Sequence, residues 1–198
     1  MRSKTLAEKA AWDFVKDLPH GKKFSLCTIL PVGIFGPPLS DNSSESIDNI
    51  VGIFEGKVAM IPKLTINGVD VRDVSEAHVR CLTTPDAAGK RFLLDSGNFY
   101  YPDLVKDLSD EFGPQGYKIP VRQMPNPLLK MASCFSEQVK DLRTLGEHPK
   151  VMDTDNLRNL LGIDPIPVKK TMLDMSYALI ELGKIKKTDK YHGPQNSS

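Results

Sequence analysis

A change of hydrophobic period near the amino terminus limits the fold more than any other feature of the chain. Across residues 3–18 the apolar side chains Leu6, Ala7, Ala10, Ala11, Phe14, Val15 and Leu18 recur at intervals of three and four. That spacing predicts an amphipathic helix with one buried stripe, ended by Pro19, His20 and Gly21. Residues 24–30 then form a short, mostly apolar run with few charges, the pattern of a parallel strand covered on both faces. Helix followed by buried strand predicts an α/β fold. Residues 31–38, PVGIFGPP, read as a rigid loop at the carboxyl end of that strand, where open α/β sheets bind ligands.

The remainder is heavily punctuated, with 15 Pro and 14 Gly, which predicts many short elements. A polar stretch over residues 40–46 leads into a helix over 47–54, and the segment to Asn67, interrupted by Pro62, reads as loop. Val69 and Val71 mark a short strand, and Asp73 is placed to cap a helix carrying Val74, Ala77, His78, Cys81 and Leu82. Residues 91–95 read as a strand. Pro102, Leu104, Val105, Leu108 and Phe112 form the next helix, stopped by Gly113 and Pro114. Between Gln115 and Lys150 only residues 128–142 have a helical pattern, followed by helices over 156–161 and 171–182 and a polar tail expected to be disordered beyond Lys186.

Charge and cysteine usage narrow the function classes. With 26 basic and 25 acidic residues the formal net charge is +1, so nucleic acid is not an expected partner. No apolar run reaches about 18 residues and MRSKTLAEKAAW lacks the layout of a secretory signal, which predicts a cytoplasmic protein with no membrane contact. Cys27, Cys81 and Cys134 are odd in number and widely spaced, fitting neither a disulfide framework nor a zinc site. Cys27, placed in the predicted strand, is expected to be buried and inert, and no metal-ligand spacing joins His20, His78, His148 and His192. Gly33 and Gly36 are not followed by a third glycine, and no strand-Gly-x-Gly-x-x-Gly-helix unit occurs. A phosphate cradle of that kind is not encoded.

The opening Ser3-Lys4-Thr5-Leu6-Ala7-Glu8, the strand running into Pro31-Val-Gly-Ile-Phe-Gly-Pro37, the segment Asp70-Val-Arg-Asp-Val-Ser-Glu-Ala-His78 and the closing Leu182-Gly183 resemble the extended short-chain dehydrogenase/reductase family. The likeness is to dihydroflavonol-reductase-like and cinnamoyl-CoA-reductase-like members, over residues 3–186. It implies the carboxyl-terminal half of a family member: a partial Rossmann fold plus a small α+β substrate-binding lobe. Residues 1–38 would be Rossmann elements, 39–185 the lobe interleaved with the remaining ones, and 186–198 the tail.

The resemblance implies NADP (or NAD) as cofactor and reduction of a small ketone or aldehyde. Lys4 matches the family's helix lysine, whose tyrosine partner four residues earlier would fall immediately before Met1. Pro31, Val32, Gly33 and Ile34 match the loop beside the nicotinamide, and Ser46 a polar residue near the cofactor phosphates or ribose. Arg72 and Asp73 match a segment under the substrate pocket and are expected to be structural. Lowering a phenol from about 10 toward 7 takes roughly 4 kcal/mol, and a charge at about 4 Å supplies on the order of 1 kcal/mol in water but about 4 at an effective dielectric near 20. The pair therefore needs an enclosed site. With neither that particular tyrosine nor a glycine-rich nucleotide loop in the sequence, the chain alone is expected to be inactive. The alternative expectation is a non-catalytic truncated isoform or interaction protein, with a protein partner on the exposed sheet edge. Without the resemblance, Lys4 reads as a solvated first-turn lysine, residues 31–38 as a surface turn, and Asp107, Asp110 and Glu111 as a solvated helix face.

Overall fold

The computed structural model describes residues 2–135, 146 and 151–194. Helix α1 spans Arg2–Asp17, and strands β1 (Thr28–Pro31) and β2 (Gly33–Phe35) follow in close succession. Next come α2 (Glu45–Phe54), β3 (Thr65–Asp70), α3 (Val71–Thr83), β4 (Arg91–Leu94), β5 (Asn98–Tyr100) and α4 (Tyr101–Phe112). Helices α5 (Asn126–Phe135), α6 (Asp155–Asn159) and α7 (Val168–Glu181) complete the described elements.

The mixed α/β architecture has two sheets. In one, β1 pairs with β4 in parallel, Thr28 opposite Arg91 and Pro31 opposite Leu94. In the other, β3 lies between β2, its parallel neighbour, and β5, its antiparallel one. The register of β2 on β3 sets Gly33 opposite Gly68. A Cβ on Gly68 would stand 3.0 Å from the ring of Phe99 and 3.2 Å from that of Phe35. Absence of that atom admits the edge-to-face Phe35–Phe99 pair.

Two apolar clusters support these sheets. Ile50 and Ile53 of α2, Val105, Leu108 and Phe112 of α4, and Met172, Leu179 and Ile180 of α7 form one. Val74 and Ala77 of α3, Phe92 and Leu94 of β4, and Leu157 with Leu161 around α6 form the other. Helix α3 starts earlier than the expected Asp73 cap, because Asp70 is its N-cap and accepts from the Arg72 amide. Helix α2 starts at Glu45, with Ser44 as the cap. Of the helical pattern over 128–142, residues 136–142 lie outside those described.

Asp70 ties the elements together. Its carboxylate is buried and accepts from Arg72 N at 2.8 Å, Arg72 Nε at 2.9 Å, Arg72 Nη2 at 2.7 Å and Thr171 Oγ1 at 2.7 Å. Burial alone pushes the carboxyl up, but these donors outweigh it and hold Asp70 below the usual carboxylate range. Arg72 also reaches Asp174 of α7 at 2.8 Å, while Asp73 accepts from the Ile166 amide at 2.8 Å. The segment that resembled a pocket floor thus joins β3, α3 and α7.

Three sequence expectations are corrected. The strand expected over 24–30 is confined to Thr28–Pro31 and only half-buried, with Phe24 54% exposed. β1 has a single strand neighbour among the described residues, β4, so its cover is incomplete. The buried stripe of α1 is also absent. Ala11, Trp12, Val15 and Leu18 are half-buried, whereas Leu6 and Phe14 are 57% and 61% exposed. Glu8 docks the helix: its carboxylate takes the Arg91 guanidinium at 2.8 and 3.1 Å and the Thr28 hydroxyl at 2.9 Å. Finally, the described part of the tail is packed: Tyr191 lies against Tyr117 and Tyr177, with its hydroxyl on Glu181 at 2.8 Å. Aromatic area outweighs the polar composition there.

Two stability outcomes follow from the carboxylates. The Arg91 hydrogen bond, against some desolvation and with help from Thr28 and Trp12, holds Glu8 at about 2. Folded-state values below the unfolded ones place the stabilisation above about pH 4, to be lost as pH falls through the folded values. Glu8→Ala is expected to cost about 1 kcal/mol and to speed hydrogen exchange in α1 while sparing α4. Asp70→Ala removes a cap and a charge-assisted fork, with an expected cost of about 2–4 kcal/mol in urea unfolding and a weaker loss of stability on acidification than the parent shows.

Candidate active site

The segment carrying four of the six site candidates crosses from one sheet to the other. Pro31 ends β1, the Val32 amide extends the ladder by donating to Leu94 O at 3.1 Å, and Gly33 begins β2. The expected loop is therefore largely strand, a correction that follows from its pairing: Gly33, Ile34 and Phe35 face Gly68, Val69 and Asp70. Ser46, in the first turn of α2, donates its hydroxyl to Ile34 O at 2.7 Å. Ser46 thereby braces the segment it was expected to accompany.

Beyond β2 the chain turns at Gly36, which is buried with φ +127°. A Cβ there would meet Val71 Cγ1 at 2.9 Å, and the Gly36 amide donates to the sulfur of Met175 at 3.4 Å. Both the angle and the close approach require glycine. Pro37 and Pro38 follow, and the turn opens onto a largely apolar cavity of about 540 Å³. Ile34, Phe35 and Leu39 line one side, Val71, Arg72 and Val79 another, with Ser44 and Ser46 at the start of α2.

Arg72 is the cation of this cavity. Its Nε and Nη2 are engaged by Asp70 and Asp174, and the side chain retains 40% exposure. The two carboxylates hold its proton still more firmly than usual. Pro31, Val32, Gly33, Ile34 and Ser46 are thus brought to one region. Lys4 is an exposed side chain on α1 with no ion pair among the described residues. It lies one turn before Glu8, and residues four apart share a helix face. Glu8 bonds Thr28 and Arg91, while Lys4 itself is exposed.

Sequence reasoning missed Asp70, Ser44, Thr171 and Met175. Asp70 and Ser44 had a usable signal as capping residue types directly before helices. Thr171 and Met175 had none, since the contacts that define them span 101 and 139 residues. His78 is exposed and its Nδ1 lies 2.7 Å from Val74 O. Among the described residues no group of three His, Cys, Asp or Glu is arranged to hold a metal, and no helix is long and apolar enough to cross a membrane.

No family model matches the chain. The NADPH-dependent methylglyoxal reductase of Saccharomyces cerevisiae is 32% identical over 188 residues, covering 90% of this chain and 50% of that protein. Cinnamoyl-CoA reductase 1 of Arabidopsis thaliana is 30% identical over 139 residues, 70% of this chain and 39% of the relative. Among solved structures, Gre2 of Candida albicans in complex with NADPH superposes with a TM-score of 0.67 at 31% identity, over 91% of this chain and 50% of that one. The chain spans about half the length of these fuller relatives. Sequence and fold together show that it belongs to the extended short-chain dehydrogenase/reductase family, as the counterpart of about half of a member.

Proposed function

We propose that the chain is the carboxyl-terminal half of an NADPH-dependent carbonyl reductase that acts on a small ketone or aldehyde, and that it works only with an amino-terminal half bearing the phenol and the dinucleotide cradle. The observation that carries this reading is the cavity at the β2 turn, walled by residues 34–39 and by Arg72 and braced through Ser46. The chain's residues suit the nicotinamide end of such a cofactor. Gly36 keeps the wall free of a side chain that would strike Val71, and the apolar lining favours a flat ring with little exposed charge. NADP is the cofactor implied, its reduced nicotinamide supplying the hydride to the carbonyl carbon.

Within that arrangement the chain's own residues bind and polarise. Ile34 lines the cavity, and Pro31, Val32 and Gly33 lead into it as the backbone that would lie beside the ring, held by the strand pairing of 33–35 and by the Ser46 hydroxyl. Ser46 acts through Ile34 and lies near the ribose or phosphates. The ammonium of Lys4 hydrogen-bonds the cofactor ribose and stabilises the ionised form of a tyrosine placed four residues before it, so that the phenol donates its proton to the developing alkoxide at neutral pH. An enclosed setting strengthens that interaction about fourfold relative to water.

The partner surface supports the same reading. Parallel sheets are ordinarily covered on both faces, yet the second edge of β1 and the Leu6, Ala10 and Phe14 side of α1 lie uncovered among the described residues. An amino-terminal half would supply strands for that edge and helices for that side. The cytoplasm, where NADPH is available, is the setting implied.

The test is complementation. Purified alone, the chain of 198 residues is expected to show no NADPH oxidation with methylglyoxal. Mixed or co-expressed with the amino-terminal half of the Saccharomyces reductase, it is expected to form a complex with measurable turnover. Lys4→Met should then lower kcat by about 10²-fold or more without preventing association. Turnover by the isolated chain, or full activity of the Lys4→Met complex, would contradict the proposal. In the same complex, Gly36→Ala is expected to raise KM for NADPH and to cost about 1–3 kcal/mol of stability, measured by cofactor titration and thermal unfolding.

A further inference from the structure

The cavity at the β2 turn holds one group whose hydrogen-bonding capacity the fold leaves partly unused. A guanidinium carries five N–H donors. In Arg72, Nε donates to Asp70 Oδ1 at 2.9 Å, and the two hydrogens of Nη2 serve Asp70 Oδ2 at 2.7 Å and Asp174 Oδ2 at 2.8 Å. The Nη1 donors have no partner among the described residues, and the side chain lines the cavity at 40% exposure. Nearby polar side chains are committed elsewhere. Ser46 donates to Ile34 O at 2.7 Å, Ser75 donates to Val71 O at 2.8 Å, and Glu76 accepts from Arg80 at 2.6 Å. Ser44 is exposed and accepts from the Ile47 amide. An incoming molecule therefore meets mostly apolar surface, with Nη1 as the charged donor still open to it.

We propose that Arg72 determines substrate choice: its Nη1 binds a second, non-reacting oxygen of the substrate, an uncharged ketone or ester acceptor carried beside the carbonyl that is reduced. The inference rests on the reading of this cavity as the substrate pocket, and it gives Arg72 a task beyond joining β3, α3 and α7. Asp70 and Asp174 grip the other nitrogens from two elements, so Nη1 is held on a rigid base, as selective recognition requires.

Charge balance favours a neutral acceptor over an anion. Arg72 and Lys170 are matched by Asp70 and Asp174, Arg80 is matched by Glu76, and Asp73, bonded to the Ile166 amide, adds a further carboxylate. The network has no surplus of positive charge, so a ligand carboxylate would give up its hydration without a compensating ion pair. A ketone or ester oxygen costs less to desolvate and still accepts the bond. Selection against a simple ketone comes from water. Solvent serves the half-exposed guanidinium, and a ligand that displaces it must return an acceptor or leave a charged donor unpaired. The apolar lining holds the body of such a molecule.

The experiment reads binding to the full chain and needs neither cofactor nor turnover, so its outcome is separate from that of the proposed reaction. The isotope-labelled chain is titrated with phenyl ketones of similar shape, and the amide shifts of Ile34, Val71 and Val79 are followed by NMR. Methyl benzoylformate carries a ketone and an ester, benzoylformate a ketone and a carboxylate, and butyrophenone a ketone alone. The ester is expected to bind about tenfold more tightly than butyrophenone, the scale of one hydrogen bond from a charged donor, and at least as tightly as benzoylformate. Arg72→Lys keeps a cation beside Asp70 and removes Nη1, and in that variant the ester should fall to the affinity of butyrophenone. Equal binding of ester and butyrophenone, tighter binding of the carboxylate than of the ester, a preference that persists in Arg72→Lys, or no binding at these residues would each overturn the proposal. Should Arg72→Lys fail to fold by circular dichroism, the order of the ligands on the parent chain decides alone.

Discussion

The Asp70 carboxylate organises everything around the cavity. A buried charge is tolerated only when its oxygens are fully engaged, and Asp70 meets that condition through the amide and guanidinium of Arg72 and the hydroxyl of Thr171. Satisfying one ion fixes three elements at once: the end of β3, the first turn of α3 and the start of α7. Arg72 is held in turn by Asp174, so the cation in the cavity wall is positioned by carboxylates on two elements. Asp73 extends the linkage to Ile166. The polar network thus fixes Arg72 in the wall of a cavity lined otherwise mostly by apolar side chains.

The amino-terminal elements obey a different logic. Polar clamping by Glu8 docks α1 onto β1 and β4, in place of the apolar burial that its sequence pattern implies. The helix carries more apolar surface than its described neighbours cover, with Leu6 and Phe14 largely exposed. The two-stranded parallel sheet has the same shortage of cover. Both features stand beside the finding that the chain spans about half the length of its reductase relatives. By contrast, α2, α4 and α7 bury Ile50, Val105, Leu108, Met172 and Leu179 completely or nearly so.

Legibility in the sequence followed the range of the interactions. The α/β class, the helices at α1, α3, α4 and α7 and the interest of residues 31–38 could be read from periodicity and from proline and glycine, since those signals act over a few residues. The 31–34 segment was placed correctly at a strand end and wrongly as a loop. Its pairing partner, β3, begins only at Thr65 and carries Asn67 and Gly68 in its middle. Val69 marked this strand locally, but Asn67 and Gly68 read as a turn in isolation, so its true span back to Thr65, and its pairing with Gly33, Ile34 and Phe35, had no local signal. Ser46 was singled out as a polar residue near the site, but its hydroxyl bond to Ile34 joins two elements whose approach has no local signature.

Helix and strand positions, their proline and glycine stops and the family pattern from Lys4 to Gly183 are all legible along the chain, because periodicity and motif spacing are properties of neighbouring residues. Folding in three dimensions settled which apolar faces are covered, that Asp70 rather than Asp73 caps α3, and that Ser46 holds Ile34. Burial and the pairing of buried charge arise between residues far apart in the chain, and a linear pattern carries no record of which distant side chain will arrive to complete them.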